Sequence, residues 1–103
     1  MIKMEIEELQ KQIDEIVNKS DKFYGGKHDA NSTFIHLIEE VGEIADVINE
    51  PNIRGRELNV TKLGKEISDS ILFLVKLASI HNINLEEVIK NKIDELNERH
   101  SLK

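Results

Sequence analysis

Five carboxylates in two short runs are the residues of this chain best placed to do chemistry: Glu39, Glu40 and Glu43 in "EEVGE", and Glu66 and Asp69 in "EISD". Each run contains acids three apart, the spacing that sets two side chains on one face of a helix. On a wheel of about 100° per residue, Leu37, Ile38, Val41, Ile44, Ala45 and Ile48 form the apolar stripe of the first segment. Glu40 stands at its edge, within about 40° of Ile44 and Val47, and Glu43 follows one turn on. Glu39 and Asp46 turn further toward the polar side, where a solvated face explains them well enough. In the second segment Glu66 projects with Ser70, Phe73 and Leu77, and Asp69 is flanked by Ile80. Burying unpaired carboxylates costs several kcal/mol, and acids brought together repel and hold on to their protons. Divalent cations resolve that conflict. Hard oxygen donors suit Mg²⁺ or Mn²⁺, and two facing helices present four carboxylates to one or two ions. Because Mg²⁺ commonly completes its shell with substrate phosphates, the pattern points to a phosphate ester or anhydride as substrate.

The elements that must position these acids read as helices. Apolar residues recur at spacings of three and four throughout, strand-like alternation is absent, and one proline interrupts the chain. Four helices are predicted. The first runs from about Glu5 to Lys19 on a stripe of Ile6, Leu9, Ile13, Ile16 and Val17. "DKFYGGKHDANS" breaks it. The second starts near Ser32 or Thr33 and stops before Pro51, which cannot continue a helix. Thr61 is the expected N-cap of a third that reaches about His81. The fourth opens at "NLEE", with Asn84 as cap and Glu87 in a capping-box position, and ends near Arg99. The short connection between the third and fourth helices, and modest ones elsewhere, predict an all-α, four-helix bundle-like fold. From Ile71 to Ile80 the third helix is apolar nearly all round, broken only by Lys76 and Ser79. Such a helix is buried on all sides, which predicts a homodimer or homotetramer. Gly42, unfavourable in mid-helix by about 1 kcal/mol, predicts a close approach by a neighbouring helix or a ligand.

Bulk composition sets the limits. The length of 103 residues, with no low-complexity run or repeat, predicts a single domain over 1–103 with its motif-bearing part at about 30–100. There is no cysteine, which excludes disulfides and thiolate metal sites and fits a cytoplasmic protein. The N-terminal "MIKMEIEELQ" lacks a signal core. The longest apolar stretch, "ILFLVKLASI", is far short of the roughly 20 residues that span a membrane. The net charge of -6, with scattered lysines, argues against nucleic-acid polymers as partners.

"EEVGE" and "EISD", separated by residues 44–65, resemble the EExxE and ExxD signature of the MazG-type, all-α nucleoside triphosphate pyrophosphohydrolases. The resemblance extends through "HLIEEVGEIADVI", "LGKEISDSILFLVKLASIHNINLEEVI" and "NKIDELNER". It implies an oligomeric helical protein that uses Mg²⁺ to hydrolyse a nucleoside triphosphate to monophosphate and pyrophosphate, in the family's nucleotide-pool housecleaning. It implies that Glu40, Glu43, Glu66 and Asp69 bind metal and that Glu39 is an accessory acid orienting or deprotonating the attacking water. Lys92 and Arg99, seven apart on the last helix, resemble basic residues that hold phosphates in the family, or else favour the helix dipole. Leu96, with Asn97 beside it, departs from the asparagine many relatives carry there. His36, one turn before Glu40, contacts substrate or packs.

Competing readings remain at this level. Phosphoribosyl-ATP pyrophosphohydrolases are similar in size and use similar acids. A di-iron bundle needs Glu-x-x-His, and no histidine here has a glutamate three residues before it. A non-catalytic helical interaction module would keep the apolar third helix with no use for four acids at the core edge.

Overall fold

Four helices account for nearly all of residues 5–24 and 29–100, the parts of the chain described by the computed structural model. They are α1 (Ile6–Tyr24), α2 (Ala30–Arg54), α3 (Val60–Ile80) and α4 (Leu85–His100). The predicted all-α class is what the chain adopts. Among the described residues there is no strand, and no helix is long and apolar enough to cross a membrane.

Local chemistry places the helix ends, in four cases away from the sequence expectation. The α2 helix starts at Ala30, just before the expected Ser32 or Thr33, and Asp29 caps it: its carboxylate accepts from the Ser32 N–H at 2.8 Å, and the Ser32 hydroxyl accepts from the Asp29 N–H. Hydrogen bonds to the Asp29 carboxylate, from the Ser32 N–H first and the Ser32 side chain next, hold its pKa below the ordinary value. The α2 helix also runs through Pro51. A proline in the last turn loses one hydrogen bond without ending the helix, and Gly55, left-handed at φ 64°, closes the turn by donating to the Pro51 carbonyl. In α3 the cap is Asn59 rather than Thr61, accepting from the Lys62 N–H at 3.0 Å. Asn84 caps α4 as expected, accepting from the Glu87 N–H. The first helix continues five residues beyond the expected Lys19, to Tyr24.

Helices α2 and α3 form the main pair, and α1 lies against α3. Ile13, Val17 and Val75 are the buried centre of the α1–α3 contact, with Leu9, Leu72 and Leu85 around it. Gln10 fastens α1 to the turn after α3: its amide donates to Ser79 Oγ and the Ile83 carbonyl and accepts from the Leu85 N–H. The fourth helix leans on α1 and has no buried residue.

The α2 stripe differs from the expected one. Thr33, Leu37, Glu40, Ile44 and Val47, spaced four and three apart, face α3, whereas Ile38, Val41, Ala45 and Ile48 stay exposed. The apolar band of α2 is wide enough to hold two adjacent stripes, and only one of them packs within the chain. On α3 the matching seam is Glu66, Ser70, Phe73 and Leu77. Glu40 and Glu43 lie near Glu66, while the earlier His36 lies against the later Phe73, so the two helices run antiparallel.

In an antiparallel pair, residues one position after each seam residue share one side, and residues one position before share the other. On one side stand Phe34, Ile38, Val41 and Ile48 of α2 with Ile67, Ile71 and Leu74 of α3, each 42–55% exposed. On the other stand His36, Glu39, Glu43 and Asp46 of α2 with Asp69, Leu72 and Lys76 of α3. The hairpin thus has an acidic side and an open apolar side. Gly42 points to open space with nothing within 4 Å of where a Cβ would stand, so the expected close approach does not occur within the chain.

Candidate functional site

Three of the predicted acids converge where the seam meets the acidic side. Glu40, Glu43 and Glu66 each offer a carboxylate oxygen, and the three oxygens lie within 4.8 Å of one another. Glu66 is buried at 5% exposure, Glu40 is half-buried and Glu43 is exposed. The order follows from position: Glu66 and Glu40 occupy seam positions between packed residues, and Glu43 stands one position off the seam.

Such a cluster is unfavourable alone, and the upward shift of the Glu43 pKa records it. Hydrogen bonding to Glu66 favours the protonated form of Glu43 and pushes its pKa above the ordinary value. Repulsion from the Glu66 charge adds to this, as do desolvation and the more distant Asp69, while Lys62 opposes them. Glu40 Oε2 and Glu66 Oε2 are buried without a hydrogen-bond partner among the described residues. Two orphaned carboxylate oxygens facing a third acid make a donor set of hard oxygens and negative charge, which fits a divalent cation.

The other expected residues are placed less centrally. Asp69 is half-buried on the acidic side and acts on Glu43 through its charge, outside the tight group of three. Glu39 is exposed, one turn before Glu43 on the same side of α2. The His36 ring stacks on Phe73, with centroids 5.4 Å apart and an interplanar angle of 19°. Lys92 and Arg99 both engage Glu95 on their own helix, at 3.4 and 2.8 Å. The positive charge felt at Glu43 comes instead from Lys62 at the start of α3.

Lys62 and Phe73 lie outside the two acidic motifs, although Lys62, with Lys65, is the cation the sequence offers on the faces that carry the acids. Lys62 has a sequence signal, since it lies four residues before Glu66 and shares its face of α3. The pairing of Phe73 with His36 has none, because it depends on the register between two helices.

Residues 28–102 match the family model described as the MazG nucleotide pyrophosphohydrolase domain. Among curated proteins and among solved structures, none matches.

Proposed function

The chain belongs to the MazG nucleotide pyrophosphohydrolase family, and from that premise we propose that it hydrolyses a nucleoside triphosphate to monophosphate and pyrophosphate with Mg²⁺, removing unwanted nucleotides from the pool. The observation that carries the proposal is the meeting of Glu40, Glu43 and Glu66 at the α2–α3 seam, with two buried carboxylate oxygens that have no hydrogen-bond partner among the described residues. Glu40, Glu43 and Glu66 would hold the cation, with Asp69 completing the negative field on the same side. Mn²⁺ suits the same oxygens. Bound there, the ion would screen the phosphate charges and lower the pKa of bound water.

The chain's own residues divide the remaining work. Glu66 and Glu40 are fixed by their seam positions, so their oxygens are oriented before any ligand arrives. Glu43 binds a cation only in its ionised form, and its raised pKa makes binding pH-dependent. Glu39, exposed beside Glu43, is free to accept the proton of an attacking water or to orient it. Lys92 and Arg99 reach substrate phosphates only by leaving Glu95, or from a second copy of the chain.

Self-association belongs to the same reading. Exposed apolar residues on one side of the α2–α3 pair, and the absence of buried residues from α4, leave more apolar surface in water than a monomer of this size favours. The radius of gyration of 16.7 Å exceeds the roughly 13 Å of a compact 100-residue domain. A second copy on the apolar side would cover that surface and leave the acids open on the opposite side.

The test is turnover of nucleoside triphosphates by the wild type and by Glu66→Gln, with circular dichroism as the control for folding. Loss of metal-dependent turnover in a folded variant supports the proposal. Undiminished turnover in Glu66→Gln overturns it.

A further inference from the structure

One turn beyond the acids, toward the connection between α2 and α3, the helix pair opens into a cavity of about 360 Å³ lined by Asp46, Val47, Glu50, Ile53, Arg54 and Lys62. Because the two helices are antiparallel, later residues of α2 and earlier residues of α3 lie in the same direction from the cluster. Asp46 follows Glu43 by three residues and Lys62 precedes Glu66 by four, so the cavity begins about 6 Å along the axis from the carboxylates. A chain of phosphates seated over the carboxylates spans that distance.

Most of the charge around this cavity is already engaged. Glu50 accepts from Arg56 at 3.5 Å and pairs with Arg54 at 3.9 Å, one acid shared by two guanidinium groups. Asp46 is exposed, so water and salt screen its repulsion of an anion. Lys62 differs from all of these. It is exposed, and its ammonium forms no hydrogen bond or ion pair among the described residues. Its charge nevertheless reaches Glu43, where it opposes the neighbouring acids. It is therefore close enough to act at the cluster and free to turn toward a ligand. The other cations fit that role less well. Lys92 and Arg99 both engage Glu95, on a helix that leans on α1 rather than on the α2–α3 pair. Lys65 lines no part of the cavity and is not one of the charges that act on Glu43.

We propose that Lys62 binds the outer phosphates of the nucleotide, which extend from the acid cluster toward the α2–α3 connection. The inference rests on the nucleotide reading above and adds to it a substrate-binding residue and a direction for the polyphosphate. An ammonium on a flexible stem donates three hydrogen bonds and follows a phosphate as a mobile point charge. A cavity walled by charged side chains suits phosphates better than a planar base, for which the aromatic surface lies the other way along the pair, where His36 stacks on Phe73.

The experiment measures, at neutral pH, the binding of inorganic tripolyphosphate in fixed excess Mg²⁺, the binding of Mg²⁺ alone, and turnover of a panel of nucleoside triphosphates. The proteins are the wild type, Lys62→Met, Lys62→Arg and Lys65→Met. The cap of α3 uses the Lys62 backbone N–H, so replacing the side chain leaves it in place, and melting temperature checks the fold. Lys62→Met is expected to weaken tripolyphosphate binding by about tenfold, the worth of one charge-assisted hydrogen bond. KM should rise in proportion, with kcat less affected. Lys62→Arg should keep most of the affinity, and Lys65→Met should change it little. Mg²⁺ alone should bind Lys62→Met no more weakly than the wild type, because a positive charge near the acids has been removed. That sign separates a phosphate contact from an indirect effect through the acids. Parallel weakening of Mg²⁺ and tripolyphosphate, an equal loss in Lys65→Met, unchanged tripolyphosphate binding in folded Lys62→Met, or no binding by the wild type overturns the inference. Tripolyphosphate binding that depends on Lys62, without turnover of any nucleotide, supports the subsite and sinks the activity proposal alone. Turnover with a KM indifferent to Lys62 does the reverse.

Discussion

Glu43 on α2 and Glu66 on α3 bring carboxylate oxygens within 4.8 Å of each other, and the hydrogen bond between them holds Glu43 above its ordinary pKa of 4.5. Two acids in this relation are stable together when they share a proton or a cation. That choice makes the site sensitive to pH and metal.

The sign of the pH effect follows from linkage. Glu43 holds its proton more tightly folded than unfolded, so its stabilising contribution is full below pH 4.5 and is lost as pH rises through the raised folded value. Without metal, Glu43→Gln should therefore melt at a temperature close to that of the wild type at low pH and above it at neutral pH. Adding Mg²⁺ should reverse the order, because only the wild type gains the ion as ligand. Calorimetric melts of both proteins across pH 4–8, with EDTA and with Mg²⁺, measure this.

Metal binding should release protons at acidic pH, where Glu43 is still partly protonated, and fewer as the pH rises. Cation affinity at this site rises with pH as Glu43 ionises. Titration calorimetry with Mg²⁺ in buffers of different ionisation enthalpy reads the proton count directly. Glu66→Gln should weaken binding by about 100-fold or more, equivalent to about 2.7 kcal/mol.

The apolar side of the α2–α3 pair should be an interface between copies. Phe34, Ile38, Val41, Ile67, Ile71 and Leu74 are all about half exposed. Sedimentation of the wild type should give a dimer or tetramer. Replacing Ile38 and Ile71 together by glutamate should shift the species toward monomer at micromolar concentration, since two unpaired charges per copy would be buried.

Thr33 is wholly buried in the α2–α3 seam, and its hydroxyl has no hydrogen-bond partner among the described residues. Thr33→Val keeps the shape and removes the unsatisfied group, so it should stabilise the chain by about 1 kcal/mol. For a domain of this size that is a rise of roughly 4–8 °C in Tm. A fall in Tm would show that the hydroxyl is satisfied in the assembled protein.

The helical class and the acids were legible because both are written in local spacing. Acids at i and i+3 share a face whatever the tertiary structure, so Glu40, Glu43 and Glu66 could be selected before any fold was known. The sequence could not show which of two apolar stripes on α2 turns inward. Thr33 and Val47 line the seam while Ile38, Val41 and Ile48 stay outside, because a second apolar stripe lies one residue away around the helix. Helix starts were placed late where an earlier side chain caps: Asp29 begins α2 ahead of Ser32 and Thr33, and Asn59 caps α3 in place of Thr61. Pro51 misled for a related reason, since a proline in a last turn costs one bond and Gly55 supplies the stop. Lys76 was visible only as an interruption of an apolar run. Its burial depends on α1 lying beside it, which is a long-range fact.

The central claim is that the acid cluster serves hydrolysis of a nucleoside triphosphate to monophosphate and pyrophosphate. The most direct measurement is chromatographic identification of products from a panel of ribo- and deoxyribonucleoside triphosphates incubated with the protein, with Mg²⁺ and with EDTA. The account predicts equal amounts of monophosphate and pyrophosphate from at least one nucleotide, with Mg²⁺ and not with EDTA. Diphosphate with orthophosphate as the products, or no turnover of any nucleotide by folded, metal-loaded protein, would contradict it.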